Sequence, residues 1–425
     1  MELSSASAVR VGATRKGTLS DLVRLFSPGE RVFLPGSAGE IPPLVDELCD
    51  QGAPPLSITA SFVPGINPVP FEHFPAATSF TSIFMQAGAP GAQARGQVRH
   101  LPLSYGSFVV HLRTLSFDSC VVHVTPPDQD GRCSLGAAVE FTPVAATRSK
   151  RILAVINPLM PRIPQAASIA LTDFEFVAET EAPLREYDVG SPSDQAMHIA
   201  RHIAPFVQDN STLQIGLGKV PDALLRMLTD RRGLRLHSGM LSDGTRALVE
   251  SNSLDPNWVH TSCVHVGTKS YYEWLSGRSD FAVRSCDYTH DLGVLLQLPR
   301  LVAVNSALAV DLFGQANLEM LNGHMVSGVG GAADFARAAS LSVDGISIVA
   351  LPSVSRGGEV SRIVPQLEGI CSIPRNDIDV VITENGAADL RNCSVVERAE
   401  KLISIAAPQH QEMLVTAFRE IGRKL

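Results

Sequence analysis

The sequence predicts an α/β protein with mostly parallel sheet, divided into two domains, and three observations lead to that expectation. At 425 residues the chain exceeds the size at which one hydrophobic core usually stops growing. Short apolar runs that end in glycine, proline or polar residues alternate with stretches of helical period, the pattern of strands joined by crossover helices. Hydrophobic residues make up 45% and charged residues 18%, with 33 glycines and 28 prolines, which suits a loop-rich α/β core and argues against extended disorder.

The elements follow in order. Arg31-Val32-Phe33-Leu34, Cys120 to Val124 and Arg151 to Ile156 read as strands, Pro42 to Leu48 as a helix, and the proline-rich stretch from Val63 to Pro75 as loop. From Glu179 to Ser193 the chain turns acidic and loses its apolar period, so the domain boundary falls there, giving domains of 1–185 and 186–425. A helix is expected from about Gln195 to Val207, with Ile199, Ile203 and Val207 on one face, followed by a turn at Asn210 and a strand from Leu213. Later strands are expected at Leu301–Asn305, Ile346–Leu351 and Ile378–Thr383, with closing helices at Ser394–Ile403 and Gln409–Arg423.

A formal charge of -8 and the lack of a basic run argue against nucleic acid or an anionic membrane surface as partner, which leaves small molecules or protein. The seven cysteines are odd in number, scattered and never in a CxxC pair, so neither a disulfide framework nor a metal site is expected. No apolar stretch approaches the roughly 18 residues of a spanning helix, and Met1 to Arg10 shows no basic segment followed by an apolar one. A cytoplasmic chain is the expectation.

Three segments could hold chemistry. Gly216-Leu217-Gly218-Lys219-Val220 follows an expected strand and opens an expected helix, so its glycines permit close approach while helix amides and Lys219 face an anion; an ordinary strand-to-helix turn explains it too. Leu236 to Thr245 packs His237, two serines, an aspartate and two glycines where helical period has stopped, and reads as a site or as a turn with a satisfied loop histidine. Ser327-Gly328-Val329-Gly330-Gly331 is a second glycine turn running into a helix that carries Asp334; it could hold a thioester carbonyl or a diphosphate, or only permit tight packing.

Seven motifs in collinear order, Val32 to Pro42, Thr125 to Gly136, Asn157 to Arg162, Leu213 to Gly218, Asn305 to Gln315, Ser327 to Gly331 and Ile382 to Arg391, resemble the acetyl-CoA hydrolase and transferase family, which includes the 4-hydroxybutyrate CoA-transferases. The resemblance implies two related open α/β domains of the CoA-transferase type, coenzyme A or acyl-CoA as substrate with no permanently bound cofactor, and binding mainly by the second domain. It also implies a homodimer or a hetero-oligomer with a related subunit. In that family a glutamate attacks the acyl-CoA and becomes a glutamyl-CoA thioester that a second carboxylate resolves. The surrounding motif reads His237-Ser238-Gly239-Met240-Leu241-Ser242-Asp243-Gly244 here, which puts Gly239 at the nucleophile's position. Ala309 and Ala332 replace two further polar residues of the family pattern.

Removing a covalent nucleophile costs on the order of 10⁴ to 10⁶ in rate, so the usual ping-pong transfer is not expected. Three readings stay open. In one, water or a substrate carboxylate enters beside Gly239, with Glu40, Glu384 or His237 as catalytic groups. In the second, the CoA pocket serves C–C cleavage or decarboxylation of a CoA ester. In the third, the chain is a silent acyl-CoA binder or partner subunit. CoA binding is expected on Gly216, Leu217, Gly218, Lys219 and Val220 and on Gly328, Gly330 and Gly331.

Overall fold

The computed structural model describes residues 14–86, 88–355 and 357–423. Its contacts divide the chain into two units, one of residues 1–188, 260–289 and 326–328, the other of 189–259, 290–325 and 329–425. The single cut expected after residue 185 therefore misplaces two segments. Backbone hydrogen bonds supply the reason: the Val139 and Glu140 amides both donate to the Cys263 carbonyl, the Cys286 amide donates to that of Glu140, and the Met85 amide donates to that of Ser327. The reading of Met1 to Arg10 lies outside the described residues.

The first unit is built on an eight-stranded sheet. In spatial order its strands are Arg15–Gly17, Phe176–Glu179, Ser149–Ile156, Phe117–Val124, Arg31–Leu34, Ser57–Ala60, Ser79–Ser82 and Val98–His100. Every neighbouring pair is parallel. A parallel sheet is covered on both faces, and the central strand Phe117–Val124 is accordingly buried along all but Asp118. Helix Pro42–Cys49 starts on proline, whose missing amide lies where a helix has no acceptor to offer, and it buries Leu44, Val45 and Leu48.

In the second unit the strands run Arg235–Leu241, Thr212–Ile215, Leu301–Ser306, Ile346–Ala350, Val380–Thr383 and Gly386–Asp389. All neighbours are parallel except the last pair, a hairpin. Helix Asp194–Ile203 is capped by the Ser193 hydroxyl and buries Ala196, Ile199, Ala200 and Ile203, an i, i+3, i+4, i+7 stripe. Helix Ala332–Leu341 lays Phe335, Ala338 and Ala339 against Leu301 and Ala303. Among the described residues no helix is long and apolar enough to cross a membrane, and all seven cysteines are free.

Candidate active site

The second unit gathers the glycine motifs at the carboxyl ends of two adjacent parallel strands, the edge at which open α/β sheets bind ligands. Strand Thr212–Ile215 delivers the Gly216–Val220 loop, and helix Lys219–Met227 starts inside it. Lys219 is exposed on that first turn. Next to it runs strand Arg235–Leu241, which carries His237 and Gly239. His237 is thus a buried strand residue, 2% exposed, and not the loop histidine expected. The reason is tertiary: ladder pairing with the neighbouring strand covers Arg235 and Leu236, and beyond it Ser238 keeps the strands together, its hydroxyl donating to the Ile215 carbonyl at 2.7 Å.

Alternation along the strand puts His237 and Gly239 on one face, and Phe335 underlies both. The His237 ring lies 6.4 Å from that of Phe335, and a β-carbon on Gly239 would sit 4.0 Å from it. The same hypothetical β-carbon would lie 3.2 Å from Nε2 of His290, a residue that sequence reading did not single out. Nothing local marks His290; only the fold brings it to Gly239. In the second glycine turn, Gly331 closes on the same imidazole, whereas a β-carbon on Gly328 would strike the Ile83 carbonyl at 2.0 Å. Tight packing therefore accounts for glycine at both positions, while Gly330 sits at φ +58.

Glu384 follows strand Val380–Thr383, four strand positions from Arg235–Leu241, about 19 Å at the usual spacing. Its carboxylate accepts from the Ser353 amide at 2.9 Å, the Ser353 hydroxyl at 2.8 Å and Gln195 at 2.9 Å. Burial opposes its ionisation, and these hydrogen bonds overcome that and hold its pKa below the usual glutamate value. The sheet does not bring Glu384 to Gly239.

In the first unit, Glu40 follows the one-turn helix Ser37–Gly39 and is 1% exposed. Arg185 grips it with two bonds of 2.8 and 2.9 Å, and Asn67 donates to it at 2.5 Å. Arg185 and Asn67 in turn line a proline-rich cavity of about 1020 Å³. Breaking a buried pair strands a charge, so Arg185→Ala is expected to cost about 3–5 kcal/mol of stability in urea unfolding, and Arg185→Ala with Glu40→Gln to recover most of it.

A second acid in this unit, Glu140, gave no signal in the sequence. It is 3% exposed and sits at φ +38, a conformation that side chains seldom adopt. The Ser61 hydroxyl donates to one oxygen at 3.0 Å, and the other has no hydrogen-bond partner among the described residues. Burial pushes its pKa up to about 8, against the opposing hydrogen bond from Ser61. The unit thus holds one buried glutamate paired with arginine and one kept neutral.

Comparison with known proteins places this architecture. The acetyl-CoA hydrolase/transferase N-terminal domain matches residues 14–183, and the C-terminal domain of the same name matches residues 267–418. The chain belongs to the acetyl-CoA hydrolase/transferase family. It is 34% identical over 316 residues to a 4-hydroxybutyrate coenzyme A transferase of Clostridium kluyveri, covering 72% of this chain and 74% of that one. A succinyl-CoA:acetate/propanoyl-CoA:succinate CoA transferase of Fasciola hepatica is 32% identical over 407 residues, covering 92% and 84%. Among solved structures, RipA from Yersinia pestis superposes with a TM-score of 0.89 at 27% identity, covering 96% of this chain and 98% of that one. This member of the acetyl-CoA hydrolase/transferase family is an enzyme of CoA thioesters, a CoA-transferase or acetyl-CoA hydrolase whose substrates carry coenzyme A. The expected family and the mostly parallel α/β fold are both found.

Proposed function

We propose that this enzyme transfers CoA from a CoA thioester to a carboxylate, or hydrolyses the thioester, without a glutamyl-CoA intermediate at position 239. The carrying observation is the face of strand Arg235–Leu241, where the residue beside the Gly216–Val220 loop is a glycine and the group nearest its missing side chain is an imidazole. The other candidate carboxylates are committed, Glu40 to Arg185 and Asn67, Glu384 to Ser353 and Gln195. Attack by the acceptor itself is the route these facts support. Incubation with acyl-CoA, borohydride reduction and peptide mass mapping test it: acyl-CoA should be consumed with no reduced residue or CoA adduct on any glutamate. An adduct on Glu40, Glu140 or Glu384 would overturn the reading, and binding without turnover of any thioester would make the chain a silent acyl-CoA binder.

Coenzyme A sits, in this reading, along the Gly216–Val220 loop and beside Gly330 and Gly331 of the same unit. Free amides at the start of helix Lys219–Met227 and the exposed Lys219 ammonium face its phosphates. Lys219→Ala should weaken CoA binding by about 1–3 kcal/mol in calorimetry, the range of a charge-assisted hydrogen bond, with the fold unchanged.

A further inference from the structure

Cys393 and Lys401 bring two nucleophiles together in the second unit, outside the site described above. Cys393 follows the edge strand Gly386–Asp389, five strand positions from Arg235–Leu241. A tight turn with Asn392 at φ +56 leads into it, and Ser394 directly after it caps helix Val395–Ser404 through a capping box with Glu397. The sulfur is thereby fixed at the foot of that helix. Lys401 stands about two turns farther on, and its long side chain runs back towards the helix start. Its Nζ donates to Cys393 Sγ at 3.1 Å and to the Asp389 carbonyl at 2.7 Å, while the sulfur lies 3.4 Å from the Arg391 carbonyl oxygen. Lys401 is exposed and Cys393 partly so, which leaves the pair open to a reagent from solvent.

We propose that Cys393 and Lys401 form a self-acylation site, at which the enzyme's own acyl-CoA acylates the sulfur and the acyl group then passes to the Lys401 amine. The proposal needs only the CoA-thioester substrate class of the family and is independent of what happens at position 239. The Cys393 thiolate attacks the thioester carbon, the C–S bond to coenzyme A breaks, and CoA leaves as thiolate. The deprotonated Lys401 amine then attacks the same carbon, the C–S bond to Cys393 breaks, and the new amide nitrogen gives up a proton to water as the Cys393 thiolate is restored. No oxidant or further reactant is required. At 3.1 Å from the sulfur the nitrogen stands close to the range of roughly 3–3.5 Å in which reacting groups reach effective molarities of about 10⁵–10⁸ M. The bond to Cys393, with Asp389 and Glu397 nearby, holds the Lys401 pKa above its ordinary value, so direct attack of the amine on acyl-CoA is disfavoured. Acylation of the sulfur removes that partner and frees the amine beside the thioester. The product is an uncharged lysine in the last turn of helix Val395–Ser404, where the helix dipole favours a cation.

The test is peptide mass mapping of the full chain after incubation with acetyl-CoA at pH 8 and no acceptor. Lys401 should carry at least about tenfold more acetyl than Lys269, an exposed lysine that has only Glu273 as ion partner among the described residues. Cys393→Ser, checked for its fold by circular dichroism, should bring acetylation at Lys401 down to the level at Lys269. Lys401→Arg, which keeps the positive charge, should leave the acetyl group on Cys393 as a thioester that hydroxylamine removes. Equal acetylation of Lys401 and Lys269 in the wild-type chain would overturn the proposal. So would unchanged acetylation of Lys401 in a folded Cys393→Ser variant, because the amine would then take the acyl group directly.

Discussion

A Gly239→Glu, His290→Asn double variant is expected to form a borohydride-trappable glutamyl-CoA adduct at position 239, where the wild-type chain forms none. Gly239 lies in a β-strand and outside the left-handed region, so a side chain there meets no backbone strain. What it meets is His290, at 3.2 Å from the new β-carbon, tight enough to require the ring to shift. In the single Gly239→Glu variant a carboxylate would also bond to the imidazole and be held as its partner, so overpacking of about 1–3 kcal/mol and a quenched nucleophile are expected together. Asparagine at 290 is shorter and leaves the space. Because a family nucleophile is worth on the order of 10⁴ to 10⁶ in rate, even partial restoration should be visible as ping-pong kinetics. A folded double variant that binds acyl-CoA yet yields no adduct would show that Gly239 does not occupy the nucleophile's position.

Between about pH 6.5 and pH 8 the stability of the chain should fall, and Glu140→Gln should remove most of that slope; below about pH 6.5 the buried His123, His265 and His290, whose pKa values burial lowers, make stability rise with pH instead. Burial raises the folded-state pKa of Glu140 from 4.5 to about 8, so its protonated form is favoured by folding. That stability is fully present below about pH 4.5 and is lost as pH rises through about 8. The two values differ by enough for an effect on the order of 4–5 kcal/mol. Between about pH 6.5 and pH 8 its neighbours do not cancel the slope: burial, reinforced by Glu140, pushes Tyr105 well up, and burial with Cys263 does the same to Cys286, so both stay protonated across this window. Urea unfolding of wild type and variant from pH 5 to pH 9 measures the difference. Parallel pH profiles would mean that Glu140 is ionised in the folded protein.

Several of the features used here were legible without a structure because they depend on local pattern. The strand at Arg31–Leu34, the helix at Pro42–Cys49 and the loop from Val63 to Pro75 came from apolar period and proline placement. The helix at Asp194–Ile203 and the closing helices came from the same 3.6-residue period. His237 was misread because the glycines and serines around it look like a turn, whereas bonds from Ser238 to Ile215 hold the segment as a strand.

By itself the sequence determined the mostly parallel α/β class, the family and the glycine at position 239, since these are written in periods and in motifs read in order along the chain. Only the tertiary structure decided that residues 260–289 pack with the first unit, that Arg185 ties up Glu40, that Glu140 is buried beside Ser61, and that His290 fills the space beside Gly239. Those four facts join residues 51 to 146 positions apart. The backbone pairs, charges and van der Waals contacts that create them exist only once the sheets have folded.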